Sequence, residues 1–225
     1  MSIRRSVAIF FSAKYIELLL GLVSSLILAR LLSPEEFGIY SIAASVVMIG
    51  YLFRNFGVGQ YIVQIEKLND GILRSAFTVT LVISWAIGLL LLLIAPWLGD
   101  SYENTGITTV LRLLSLNFLL LPFGAIADAV LRRNMAFDKL AIINVSAAST
   151  TLVVGVTAAL LGASYLSIAW ASNASTIVSI LLTLFFRPAG LPWLPGVSHL
   201  REVGKFGLKV GAMDIFNRGS DSVTE

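Results

Sequence analysis

Six long apolar runs divide this chain, and each run is about as long as a membrane is thick. They cover residues 6–29, 37–63, 76–98, 107–131, 140–161 and 165–186. A helix of roughly 20 apolar residues spans about 30 Å of hydrocarbon. The sequence therefore predicts an all-α, polytopic transmembrane helix bundle with about six spans.

Basic residues are concentrated in every second joint between these runs. The joints after the first, third and fifth runs contain only Arg30 as a basic residue. The amino terminus and the other joints hold Arg4, Arg5, Lys67, Arg74, Arg132, Arg133, Lys139, Arg187, Arg201 and Lys205. Because basic loops stay on the cytoplasmic side, this pattern places the amino terminus and the segment after the sixth run in the cytoplasm.

The composition excludes several classes of protein. Hydrophobic residues make up 57% of the chain and charged residues 13%, against about 25% charged residues in soluble domains. The net charge of +3 comes from basic residues on one membrane side, so we expect them to contact anionic lipid head groups rather than nucleic acid. With no cysteine and a single histidine, His199, which we expect in a solvated loop, the chain predicts no metal site, no disulfide and no cofactor.

The chain is predicted to have three parts. Residues 1–187 form a six-helix transmembrane lobe, and residues 188–200 form a cytoplasmic linker whose prolines and glycines disfavour a helix. In residues 201–225, Arg201, Lys205 and Lys209 recur every fourth position, which is typical of an interfacial helix leading into a seventh span. Since Glu225 comes before that span is complete, we expect the chain to be a truncated or fragmentary protein.

A helix-start signal stands between the first two runs. Ser33 can cap a helix, Pro34 suits the first helical position, and Glu36 follows Ser33 by three residues, as in a capping box. Acidic side chains also favour the positive end of a helix. This segment predicts a tight extracytoplasmic turn.

The same segment resembles the amino-terminal signature of a known family. The sequence ARLLSPEEFGIY at residues 29–40, followed by NFGVGQYIVQ at residues 55–64, is similar to that of Wzx-type polysaccharide and O-antigen flippases. These belong to the multidrug/oligosaccharidyl-lipid/polysaccharide superfamily. The detailed likeness covers about the first quarter of the chain, and this chain departs from the family by ending after one of two lobes.

The resemblance implies a function, a partner and a location. It implies a lobe of a bacterial inner-membrane transporter that moves undecaprenyl-diphosphate-linked oligosaccharide by alternating access, beside other polysaccharide-assembly proteins. The sequence also leaves open a multidrug antiporter, a membrane glycan polymerase or ligase, and a non-transporting remnant. We predict that the chain is not an enzyme, because we find no nucleophile with a base, no paired catalytic carboxylates and no nucleotide-binding loop.

Charged residues within the runs are candidates for substrate binding, because charges at a helix centre cost about 2.5–3.5 kcal/mol. Lys14 and Glu17 lie three residues apart on one face of the first helix, as a pair that either only packs helices or faces the substrate. Arg54, near the cytoplasmic end of the second span, has a guanidinium suited to a diphosphate. Its side chain is also long enough to reach the interface instead. Arg112 and Asp128 fit interfacial positions.

Neutral polar residues are further candidates. Asn117 lies in the fourth run and Asn173 in the sixth. Amides of this kind either line a sugar-binding cavity or hold helices together in lipid. The sequence leaves both roles open.

Overall fold

The computed structural model of the chain describes residues 3–54, 57–188, 191 and 195–207, which form a helical bundle. Its helices are α1 (Ile3–Leu31), α2 (Pro34–Arg54), α3 (Val58–Gln64), α4 (Asp70–Ser101), α5 (Thr105–Leu120), α6 (Pro122–Arg133), α7 (Phe137–Leu160) and α8 (Leu166–Phe185). Residues 200–207 are helical as well. The described residues contain no β-strand, so the predicted all-α fold is confirmed.

The helices account for the apolar runs of the sequence. Five stretches are long and apolar enough to cross a membrane, namely Ile9–Leu31, Pro34–Gln64, Asp70–Ser101, Phe137–Leu160 and Leu166–Phe185. The bent pair Thr105–Leu120 and Pro122–Arg133 supplies a sixth crossing if it acts as one span. The prediction of a polytopic helix bundle is therefore confirmed for the described part of the chain.

Two of the predicted runs are broken in the structure. Between α2 and α3, Gly57 has a φ of 64°, a left-handed conformation that costs glycine little. Between α5 and α6 the chain bends by 53°, and Pro122 stands at the start of the new helix, where its missing N–H needs no partner.

Helix α5 holds the bundle together. It contacts α2, α4 and α8, while α8 packs on α7 and α7 on α1. Its fully buried Phe118 lies with its ring centroid 4.7 Å from that of Tyr51 in α2. A Cβ added at Gly50 of α2 or Gly88 of α4 would come within 3.0 and 3.1 Å of Phe118 atoms. These glycines let the helices approach closely, as small residues do in membrane bundles.

The predicted extracytoplasmic end is fastened at the α1–α2 turn. The Ser33 backbone N–H donates to Glu36 Oε2 at 2.7 Å, and the Glu36 N–H donates to Ser33 Oγ at 3.3 Å. The predicted capping box is therefore formed. The other Glu36 carboxylate oxygen accepts a hydrogen bond from the hydroxyl of Ser164, which lies in the turn between α7 and α8. One carboxylate thus joins two turns.

At the opposite end, the described part of the linker folds back on α4. The Gly196 N–H donates to Thr78 Oγ1 at 2.9 Å, and the Thr78 hydroxyl donates to Gly196 O at 2.8 Å. The His199 N–H donates to Ser75 Oγ at 3.0 Å. His199 lies in a turn, as the sequence suggests, and its side chain is half-buried rather than fully solvated.

The helical residues 200–207 dock on α3. Val203 is fully buried in an apolar cluster built from α3, α4 and α6. The Tyr61 hydroxyl of α3 donates to Glu202 Oε1 at 2.7 Å, and the ring centroids of Tyr61 and Phe206 lie 4.8 Å apart. The position of these residues at a membrane interface stays a prediction, and Lys209 and the seventh span fall outside the described residues.

Candidate functional site

A cavity of about 470 Å³ opens between α2, α3, α4 and α6 at the end of the bundle that the sequence places in the cytoplasm. Residues on all four helices line it. Its polar side chains are Arg54, Gln60, Gln64, Thr80, Asp128 and Arg132. Two guanidiniums and one carboxylate make the lining more basic than acidic.

Arg54 ends α2 and contributes the first guanidinium. Its Nε is shielded from solvent and has no hydrogen-bond partner among the described residues. A buried N–H without an acceptor costs free energy, and the cost is larger for a charged group. The side chain is therefore in a state that an anion entering the cavity would stabilise.

Asp128 and Arg132 stand one turn apart on α6 and form an ion pair. Arg132 Nε lies 2.7 Å from Asp128 Oδ2, and Arg132 Nη2 lies 3.5 Å from Asp128 Oδ1. Both side chains keep substantial exposure, 36% for Asp128 and 50% for Arg132. The Asp128 carboxylate also attracts the Arg54 guanidinium, so it interacts with both cations of the cavity.

The short helix α3 forms one wall of the cavity, and Arg133 holds its end. Arg133 Nη1 donates to the carbonyl oxygens of Ile62 at 2.7 Å and Ile65 at 2.6 Å, and Nη2 donates to that of Glu66 at 3.3 Å. A cation at a helix carboxyl end satisfies free carbonyls and interacts favourably with the helix dipole. Arg133 therefore positions the wall and does not face the cavity.

Lys14 and Glu17 lie away from this cavity. Lys14 Nζ is 3.0 Å from both carboxylate oxygens of Glu17, so the pair that the spacing predicts is formed. The side chains are 52% and 31% exposed on the outer surface of α1. Their role toward a substrate stays a prediction.

Asn117 and Asn173 lie between α5 and α8. Asn117 Nδ2 donates to Ser172 Oγ at 3.0 Å, and Asn173 Nδ2 donates to Leu113 O at 2.9 Å. Both residues are buried. This placement agrees with the helix-packing role, and neither residue lines the cavity that contains Arg54.

Four polar residues of the cavity were not singled out as binding candidates in the sequence, namely Gln60, Gln64, Thr80 and Arg132. Gln60 and Gln64 lie one turn apart on α3, and the second predicted run, residues 37–63, ends just before Gln64. Arg132 counted only as a basic joint residue, although Asp128 precedes it by four positions, the spacing of a helical ion pair. That spacing could have indicated the Asp128–Arg132 ion pair from the sequence alone.

The cavity is suited to holding an anion. Guanidiniums grip phosphate oxygens through parallel charged hydrogen bonds, and the glutamine amides and the threonine hydroxyl can bind sugar hydroxyls or further oxygens. No cluster of three or more metal-ligating side chains occurs among the residues that the structure describes. The arrangement therefore favours recognition of a charged head group.

Comparisons with known proteins agree with one another. A family model described as a polysaccharide biosynthesis protein matches residues 27–224. The succinoglycan biosynthesis transport protein ExoT of Rhizobium meliloti (strain 1021) is 32% identical over 158 residues, which are 70% of this chain and 31% of ExoT. The lipopolysaccharide biosynthesis protein WzxC of Escherichia coli (strain K12) is 23% identical over 128 residues, 57% of this chain and 26% of WzxC.

A third relative is an uncharacterized membrane protein from the cps region of Klebsiella pneumoniae, 22% identical over 123 residues, 55% of this chain and 25% of that protein. The matched part spans about a quarter to a third of the length of these relatives. No solved structure matches the chain.

Proposed function

We propose a function for this chain from the premise that it belongs to the polysaccharide biosynthesis protein family. The chain is the amino-terminal lobe of a transporter of the bacterial inner membrane, with its amino terminus in the cytoplasm. The transporter moves a lipid-diphosphate-linked oligosaccharide from the cytoplasmic to the outer leaflet for polysaccharide export. The names of ExoT and WzxC, which refer to transport and to polysaccharide biosynthesis, support this proposal.

The observation that carries the proposal is the buried Nε of Arg54 beside a cavity that also contains Arg132. A diphosphate offers several oxygens in the geometry that a guanidinium binds. Since the cavity lies at the basic end of the bundle, it is placed to receive such a group from the cytoplasmic leaflet.

The step requires no covalent chemistry. The diphosphate and the first sugars enter the cavity between helices, while the polyprenyl chain stays in the surrounding lipid. The turns at the opposite end are joined through Glu36 and Ser164. The lobe in this arrangement is therefore compatible with a state open toward the cytoplasm, which alternates with one open to the outside.

Replacement of Arg54 by lysine tests the proposal. Lysine keeps the positive charge but cannot form two parallel hydrogen bonds, and one charged hydrogen bond contributes about 1.5–3 kcal/mol. We expect binding of the head group to weaken roughly ten- to hundredfold. Complementation of a flippase-deficient strain by the gene that encodes this chain should fall accordingly, at unchanged membrane levels of the protein.

Arg112→Lys is the matched control, because Arg112 is exposed on α5 and does not line the cavity. It should complement fully. Full complementation by both Arg54→Lys and Arg54→Gln would assign Arg54 to the interface and refute its role in binding.

A further inference from the structure

Asp128 is an acidic side chain in a cavity that otherwise suits an anion. Its carboxylate holds Arg132 at 2.7 Å and attracts Arg54. A side chain that only contributed to recognition of a phosphate would not carry the same charge as the ligand. Recognition of the phosphate therefore does not explain why Asp128 lies in this cavity.

We propose that Asp128 competes with the substrate for Arg132. The Asp128 carboxylate binds the Arg132 guanidinium while the cavity is empty, and an anionic head group displaces it. This inference rests on the proposed function, because it assumes that the ligand is a diphosphate. It adds that the affinity of the site is set by an exchange of one anion for another at Arg132.

The geometry supports such an exchange. The pair is a single-turn contact on one helix, and both partners are partly exposed, so it forms and breaks without moving the backbone. Pairs of this kind contribute about 0.2–1 kcal/mol. A diphosphate that offers two charged hydrogen bonds to a guanidinium competes well against that value.

The exchange also has a use in transport. A carrier must release its substrate after each crossing, and tight binding by two free guanidiniums would slow release. When Asp128 returns to Arg132, it replaces the phosphate oxygens that leave. Asp128 thus weakens binding and aids release.

The direction in which Asp128→Asn changes the affinity for a diphosphate tests the inference. Asp128→Asn removes the competing charge, so we expect the purified chain to bind farnesyl diphosphate about two- to fivefold more tightly than the unchanged chain does. Loss of an ordinary cavity contact would instead weaken binding. The measurement is a titration in detergent by isothermal calorimetry, with farnesol as the ligand that lacks the diphosphate.

Three further variants complete the design. Asp138→Asn, at the start of α7 and outside the cavity, removes the same charge and should leave the affinity unchanged. Asp128→Glu retains the charge and should bind like the unchanged chain. Arg132→Gln should weaken binding, because it leaves the Asp128 carboxylate unpaired beside the ligand.

The outcomes separate the inference from the function on which it rests. Weaker binding by Arg54→Lys together with unchanged or weaker binding by Asp128→Asn would overturn the competitor role alone. Equal gains from Asp128→Asn and Asp138→Asn would reduce the effect to net charge and overturn it as well. Unchanged binding by Arg54→Lys would overturn the diphosphate site itself.

Discussion

Replacing Glu36 by glutamine removes the charge of a carboxylate that joins two turns. Glu36 Oε2 accepts from the Ser33 N–H at 2.7 Å, and its other oxygen accepts from the Ser164 hydroxyl. Glutamine offers one oxygen and one NH₂ group in that place. Its oxygen can accept from the Ser33 N–H and its NH₂ group can donate to the Ser164 hydroxyl, so both hydrogen bonds lose their charged acceptor and become neutral. We expect Glu36→Gln to destabilise the folded bundle.

The neighbouring Glu35 provides a matched control. It is exposed in the same first turn of α2. Glu35→Gln therefore loses only the favourable interaction with the helix dipole, about 0.3–1 kcal/mol. Glu36→Gln loses this and also the charge on the acceptor of two hydrogen bonds, which are stronger with a charged acceptor than with a neutral one. Glu36→Gln should therefore be less stable than Glu35→Gln.

Unfolding of the purified chain in mixed micelles by increasing amounts of dodecyl sulfate measures both variants. Combination with Ser164→Ala gives a double-mutant cycle, in which the Glu36 and Ser164 changes should be non-additive by at least about 0.5 kcal/mol. Equal losses of stability in Glu35→Gln and Glu36→Gln, or strictly additive effects with Ser164→Ala, would refute the argument that Glu36 joins the turns.

Two other predictions concern α1 and the topology. Removal of one charge from the Lys14–Glu17 pair leaves the other charge uncompensated in lipid. Lys14→Met and Glu17→Gln should therefore each lower the amount of protein in membranes, and the double variant should restore it. Additive losses of protein on an immunoblot would contradict the pairing. Because the positions of the basic joints predict the orientation, a single cysteine that replaces Asp100 or Leu161 should react with an impermeant thiol reagent added outside intact cells. A single cysteine that replaces Lys67 should not react. The reverse labelling pattern would contradict the predicted orientation.

The positions of the spans were predictable because hydropathy is a local property. The capping box at Ser33 and Glu36 was predictable because its hydrogen bonds connect residues three positions apart. Gly57 and Pro122 were visible as residue types, but the left-handed backbone at Gly57 and the bend at Pro122 were not predictable, since an apolar run has the same hydropathy whether it is continuous or broken.

The cavity was only partly predictable. Arg54 was identified from its guanidinium and its place near the cytoplasmic end of the second span, and it does line the cavity. Its role in binding stays a prediction. The contacts of Arg133 with the carbonyls at the end of α3 join residues about 70 positions apart, and no local pattern indicates them. Likewise, the amide of Asn117 could be assigned to helix packing only once Ser172 was found beside it.

The wall of the cavity at α3 is a single helix of seven residues. Gln60 and Gln64 stand on the cavity side, while Tyr61 contacts Glu202 and Phe206 on the other side. The same piece of backbone therefore lines the candidate site and packs against the helical residues 200–207. If a ligand moved α3 on binding, the free energy of docking residues 200–207 on α3 would change as well. Because linkage is reciprocal, fixing residues 200–207 on α3 would in that case change the affinity of the cavity for the ligand by the same factor.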